Sequence, residues 1–147
     1  MRVLILCTGN SARSQMAEAI LRHAARGRIT VESAGTAPQL EIHPSAREVV
    51  KHLFDLEMPG QYPKNVDRFR DEAFDYVITV CDQAAESCPV FPGGAERIHW
   101  SFADPAAVAG TRAERREAFE QTANALLARI QQWLSQPSVQ DRLADSS

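Results

Sequence analysis

A short apolar run, Val3 to Leu6, ends at Cys7-Thr8-Gly9-Asn10-Ser11-Ala12-Arg13-Ser14, and the pattern Met16, Ala17, Ile20, Leu21, Ala24 begins within one turn of Arg13. Continuous Val, Leu and Ile read as a buried strand, and apolar residues at helical spacing as an amphipathic helix. The chain must therefore pass here from strand through a tight loop to helix, with Cys7 at the strand end. Unpaired N–H groups and the positive end of the helix dipole point into such a loop, which favours an oxyanion and a thiolate on the same few atoms. Gly9 is expected to supply conformations closed to other residues and Asn10 to tolerate a left-handed one, so that the peptide wraps with its N–H groups inward. Thr8, Gly9, Asn10, Ser11, Ala12, Arg13 and Ser14 are thus the candidate anion-binding residues, Arg13 adding a planar fork that grips two oxygens. These neighbours outweigh the competing reading of Cys7 as a small buried hydrophobe.

Composition narrows the partners. A chain of 147 residues supports one sizeable core, and a formal net charge of -3 with dispersed Lys and Arg leaves no basic footprint for nucleic acid. The N-terminal apolar run is too short for a signal-peptide core, and no later run approaches membrane length. The expectation is a cytoplasmic protein without a membrane partner. Three cysteines in such a compartment do not make a static disulfide framework, which leaves metal binding, redox chemistry or packing.

Further strands are expected at Ile29 to Ser33, at Tyr76 to Val80 and around Arg97-Ile98-His99. Helical spacing recurs at Ala46, Val49, Val50, Leu53 and, over a long stretch, at Phe119, Ala123, Leu126, Leu127, Ile130, Leu134. Strands alternating with helices predict an α/β fold, a single-domain four-stranded parallel sheet with helices on both faces and the flavodoxin-like strand order 2-1-3-4. The domain is expected to span residues 1–134, followed by a polar, frayed tail over 135–147. In that order Cys7 ends the first strand and Cys81 the adjacent third, so both face the crevice beyond the strand C-termini. The loop after the fourth strand can bring Asp104 to its rim.

Six residues separate Cys81 from Cys88, and Ala84, Ala85 and Ser87 among them are small enough to rearrange cheaply. If the Cys7 thiolate holds the central atom of an oxyanion, Cys81 can attack Cys7 and expel the reduced product. Cys88 can then take over Cys81 and carry the disulfide toward the surface. Packing beneath Pro89 and Phe91 is the alternative for Cys88. A zinc site of Cys7, Cys81, Cys88 and His99 lacks the close cysteine pairs that structural zinc favours, and His43, His52 and His99 show no paired spacing. No metal is expected. Asp104, before Pro105, reads either as a cap or as the general acid that oxygen expulsion requires. Ser14 reads either as an early helix residue or as a hydrogen-bond donor to the Cys7 thiolate, expected to have a depressed pKa.

The runs Cys7 to Glu18, Ser33-Ala34-Gly35-Thr36, Val80-Cys81, Cys88-Pro89 and His99-Trp100 ahead of Asp104-Pro105 resemble the thioredoxin-coupled arsenate reductases. Those enzymes share the fold of low-molecular-weight protein tyrosine phosphatases. The resemblance implies arsenate as substrate, Cys7 as nucleophile, Arg13 as anion clamp, Asp104 as acid, a relay through Cys7, Cys81 and Cys88, and no bound cofactor. An external dithiol protein such as thioredoxin would regenerate the enzyme. Some members hold potassium with residues matching Asn10, Glu18, Ser33 and an acidic residue aligned here with Lys64. A lysine there would replace the cation's charge, which predicts activity independent of potassium. Phosphate-ester hydrolysis is the alternative activity, weakened by Ala106-Ala107 where the phosphatases place tyrosines and by Gln15 where they carry proline. A non-catalytic oxyanion or thiol-redox sensor is a third reading, against which Asp104 counts.

Overall fold

The computed structural model describes residues 1–146. Its sheet consists of β1 (Arg2–Cys7), β2 (Thr30–Gly35), β3 (Tyr76–Thr79) and β4 (Glu96–His99), all parallel, in the order β2-β1-β3-β4. Around it lie α1 (Arg13–Ala25), α2 (Pro44–Phe54), α3 (Asp82–Glu86), α4 (Arg112–Leu134) and α5 (Pro137–Ser146). The central strands are apolar because they are covered: Val3 to Leu6 and Val77, Ile78 are fully buried. Each such aliphatic side chain contributes about 1.5–3 kcal/mol relative to exposure. Trp133 of α4 meets Tyr76 and Trp100 edge-on at centroid distances of 5.1 and 6.2 Å. The two tryptophans are thus core residues.

The chain beyond Leu134 departs from expectation. Residues 137–146 form α5, with Pro137 in its first turn and Val139 and Leu143 buried in the common core. Two apolar residues four apart dock this polar helix on the core, where a frayed coil was expected; Ser147 lies outside the described residues.

The sheet register positions the chemistry. Leu6 pairs with Thr79, and the Val80 N–H donates to the Leu6 carbonyl at 2.9 Å. The β1 and β3 chains therefore leave the sheet side by side, one delivering Cys7 and the other Cys81.

Candidate active site

Residues 7–14 fold into a loop whose carbonyls face outward. The amides of Thr36, Ala37, Gln39 and His43 donate to the carbonyls of Cys7, Thr8, Gly9 and Ser11 at 2.8–3.2 Å, and Gln15 Nε2 donates to the Asn10 carbonyl at 3.0 Å. With the carbonyls engaged on one side, the peptide presents its N–H groups to the other. Helix α1 then starts at Arg13 behind Ala12, which supplies no side-chain cap, so the first-turn N–H groups remain available to an anion.

The left-handed residue is Asn10, at φ 48°. Gly9 has no positive φ, contrary to its expected role; its lack of a side chain serves instead the approach of Gln39, whose Cγ would lie 3.1 Å from an added Cβ. Asn10 is affordable there because its side chain is fully used. Nδ2 donates to Ser14 Oγ at 2.7 Å and Ser33 Oγ at 3.0 Å, while Oδ1 accepts from Gln15 Nε2 at 3.1 Å and the Lys64 N–H at 2.9 Å. Gly35 allows β2 to lie against this loop, since a Cβ there would stand 2.4 Å from the Thr8 carbonyl oxygen.

Cys7 is buried, with Sγ 2.9 Å from Ser14 Oγ and 3.2 Å from the Asn10 N. Burial pushes the Cys7 thiol above its ordinary value, and the Cys81 sulfur adds to the rise. Hydrogen bonds from the Ser14 hydroxyl and the Ser14 and Asn10 amides pull the other way. Desolvation outweighs them, so the depressed value expected from the loop alone is corrected: the donors reduce a rise that burial imposes. Ser14 is the second residue of α1 and also faces the sulfur, so its two readings are compatible.

The loop floors a cleft of about 740 Å³ lined by Cys7, Thr8, Gly9, Ser11, Ala12 and Arg13, with Leu40, Ile42, Gln83, Asp104 and Ala106 on its walls. Asn10 and Ser14, expected among the anion-binding residues, do not line it. Both are fully buried behind the loop and shape it. Arg13 donates from a guanidinium N–H to the Phe102 carbonyl at 2.8 Å and stands 3.9 Å from Asp104 Oδ2. Asp104 also accepts from the Ala106 N–H at 2.9 Å, capping the 3₁₀ turn Pro105–Ala107. Its cap role and its place at the cleft therefore hold together.

Cys81 is buried at the start of α3 with Sγ 3.3 Å from Thr8 Oγ1, so it adjoins the anion loop. Cys88 does not. It is half-buried beyond the far end of α3, and the chain after it leads to Phe91, which meets Phe74 edge-on at a centroid distance of 5.8 Å just before the N-terminal end of β3, the end of the strand opposite Cys81. Burial pushes the Cys88 thiol up, partly countered by Arg97, which also donates to the Pro89 carbonyl at 2.6 Å. Among the described residues no group of three or more His, Cys, Asp or Glu could hold a metal ion, and no helix is long and apolar enough to cross a membrane.

Behind the loop, sequence reasoning reached Glu18 and Ser33 only through the resemblance and missed Arg22 and Gln61. Buried Glu18 accepts from Ser33 Oγ at 2.6 Å and from Arg22 at 2.6 Å. The cation beside this carboxylate is Arg22; Lys64 turns its ammonium to the Tyr62 carbonyl at 3.1 Å and serves the loop only through its backbone. The assignment of that charge to Lys64 is therefore corrected. Glu18 and Arg22 stand at i,i+4, a signal visible in the sequence. The Gln15–Gln61 pair, 2.8 Å across 46 residues, is not.

Over residues 2–143 the chain matches the low-molecular-weight phosphotyrosine protein phosphatase family. The chain belongs to that family. Its relatives include the arsenate reductase of Shouchella clausii, 34% identical over 132 residues that cover 89% of this chain and 93% of that one. A thioredoxin-dependent arsenate reductase of Corynebacterium glutamicum superposes with a TM-score of 0.62 at 32% identity, covering 92% of this chain and 63% of that one. The tyrosine phosphatase of T. tengcongensis, at 22% identity and a TM-score of 0.74 over 91% of this chain and 97% of that one, shares the fold.

Proposed function

We propose that the protein reduces arsenate to arsenite in the cytoplasm and is regenerated by a dithiol protein of the thioredoxin type. The observation that carries this reading is a second thiol beside the nucleophile: Cys81 Sγ lies 3.3 Å from Thr8 Oγ1 on the anion loop. Hydrolysis of a phosphate ester needs no such group. The arsenate reductase relatives support the same reading.

In this account Arg13 and the loop amides hold the oxygens of arsenate while the Cys7 thiolate, stabilised by Ser14 and the Asn10 N–H, attacks arsenic. Asp104 donates a proton to the departing oxygen, which leaves as water. The Cys81 thiolate then attacks Cys7 Sγ; the sulfur–arsenic electron pair passes to arsenic, arsenite departs, and a Cys7–Cys81 disulfide forms. Cys88 thiolate attacks Cys81 Sγ, frees Cys7 as thiolate and leaves a Cys81–Cys88 disulfide for the external dithiol to reduce. Disulfide Cα atoms lie about 4.4–6.8 Å apart. Seven residues along a helix span about 10 Å, so α3 must unwind for the second exchange.

The test is arsenate-dependent NADPH consumption with thioredoxin and its reductase, run beside hydrolysis of p-nitrophenyl phosphate and with potassium varied at constant ionic strength. Turnover with arsenate, lost in Cys7→Ser and Cys81→Ser, supports the reading. Hydrolysis retained in Cys81→Ser with no arsenate turnover in the parent protein replaces it with a phosphatase. Activity independent of potassium is expected, because Arg22 already neutralises Glu18.

A further inference from the structure

The mechanism above leaves one polar cluster unused. Thr79 and His99 are cross-strand partners at the C-terminal ends of β3 and β4, and Thr79 Oγ1 lies 2.7 Å from His99 Nδ1. The other ring nitrogen, Nε2, stands 2.8 Å from Asp82 Oδ1, which also accepts from Ser101 Oγ at 3.0 Å. Asp82 is the first residue of α3 and follows Cys81 directly. Two residues leaving β4 therefore hold the first turn of the segment that links Cys81 to Cys88.

The directions of these hydrogen bonds follow from the groups. A carboxylate only accepts, so Nε2 carries the proton toward Asp82. Thr79 Oγ1, 2.7 Å from Nδ1 and 3.5 Å from the Ile98 carbonyl, ties the other side of the ring back to β3. His99 and Ser101 together hold the Asp82 carboxyl below its ordinary range, and Arg13 adds a weaker attraction.

Little else secures α3. It has five residues, of which only Ala84 is buried, and a helix this short has no stability of its own. Beside Asp82, Gln83 anchors its side chain by accepting from Thr8 Oγ1 at 3.2 Å. A wound α3 keeps Cys81 at the anion loop and keeps Cys88 from reaching it. We propose that His99, acting through Asp82, is a positioning residue that holds α3 wound and thereby limits the rate at which Cys88 takes over the Cys81 disulfide. This rests on the relay reading. In the controlled step the Cys88 thiolate bonds to Cys81 Sγ and the Cys7–Cys81 bond breaks, with Cys7 leaving as thiolate and no net change in oxidation.

The experiment takes the full chain through one arsenate turnover, quenches with acid, blocks free thiols and quantifies the two disulfides over time by peptide mass mapping. Amide exchange of residues 82–88 is measured in the reduced protein. Asp82→Ala and His99→Ala should convert Cys7–Cys81 into Cys81–Cys88 about two- to fivefold faster than the parent, the scale of a solvent-exposed pair, without accelerating the first exchange. Amides of 82–88 should exchange faster in both. Asp82→Asn, which keeps an acceptor oxygen for Nε2, should stay close to the parent. A second exchange unchanged or slower in both alanine variants overturns the proposal, as does Asp82→Asn behaving like Asp82→Ala. If the parent forms no arsenate-dependent disulfide, the relay reading fails, and the amide exchange still decides whether the bridge holds α3: faster exchange supports that part and unchanged exchange removes it.

Discussion

The anion loop and the segment from Cys81 to Phe91 adjoin each other and are built on opposite principles. In the loop, every polar side chain behind the nucleophile is buried and bonded: Asn10 alone makes four side-chain hydrogen bonds to Ser14, Ser33, Gln15 and Lys64. In the segment, one alanine of α3 is buried and the fastenings are surface hydrogen bonds accepted by Asp82, Gln83 and the Pro89 carbonyl. A site that stabilises a developing charge needs donors fixed in advance, since reorganisation would consume the stabilisation. A thiol that must meet two different sulfurs in turn needs the reverse. The contrast teaches that, under the proposed relay, chemistry and transport of oxidation would be divided by how densely each region is bonded.

The largest expected effect falls on the rigid side. Arg13→Ala removes the guanidinium that faces the cleft, and arsenate turnover should fall about a thousandfold, as for loss of a single oxyanion donor or more; steady-state kinetics checks this. Gly35→Ala forces a Cβ to within 2.4 Å of the Thr8 carbonyl, backbone that cannot swing aside. It should cost about 1–3 kcal/mol in urea unfolding, and Arg22→Ala, which leaves buried Glu18 without its cation, about 2 kcal/mol. Ser14→Ala deletes the strongest opposition to the burial-driven rise of Cys7. The thiol pKa therefore moves further up, the thiolate fraction at neutral pH falls, and the pH profile of Cys7 alkylation in a Cys81→Ser, Cys88→Ser background shifts to higher pH. The smallest effect belongs to the loose side: Gln83→Ala should change unfolding free energy by less than about 0.5 kcal/mol. A loss there comparable to Gly35→Ala would erase the contrast.

Strand positions and sheet order follow from apolar runs such as Tyr76 to Val80, because a strand buried on both faces has no polar alternation to obscure it. The nucleophilic loop is equally visible, since Cys7, Arg13 and Ser14 lie within one continuous stretch. What escapes sequence reading depends on pairings made by the fold. His99 acquires a role only through its register opposite Thr79 and the return of Asp82 beside it. The carboxylate–guanidinium pair under the loop is assigned to Arg22 rather than Lys64 by which side chain the Tyr62 carbonyl captures. Helix α5 is hidden by its composition, for Val139 and Leu143 carry the docking of an otherwise polar stretch. The elevated Cys7 thiol reflects depth of burial, which local sequence does not report.

The most direct measurement is thiol mapping of Cys88→Ser after one arsenate turnover, with arsenite quantified in the same sample. The account predicts one Cys7–Cys81 disulfide for each arsenite released. Arsenite released in equal amount with Cys7 and Cys81 both recovered as free thiols would contradict it.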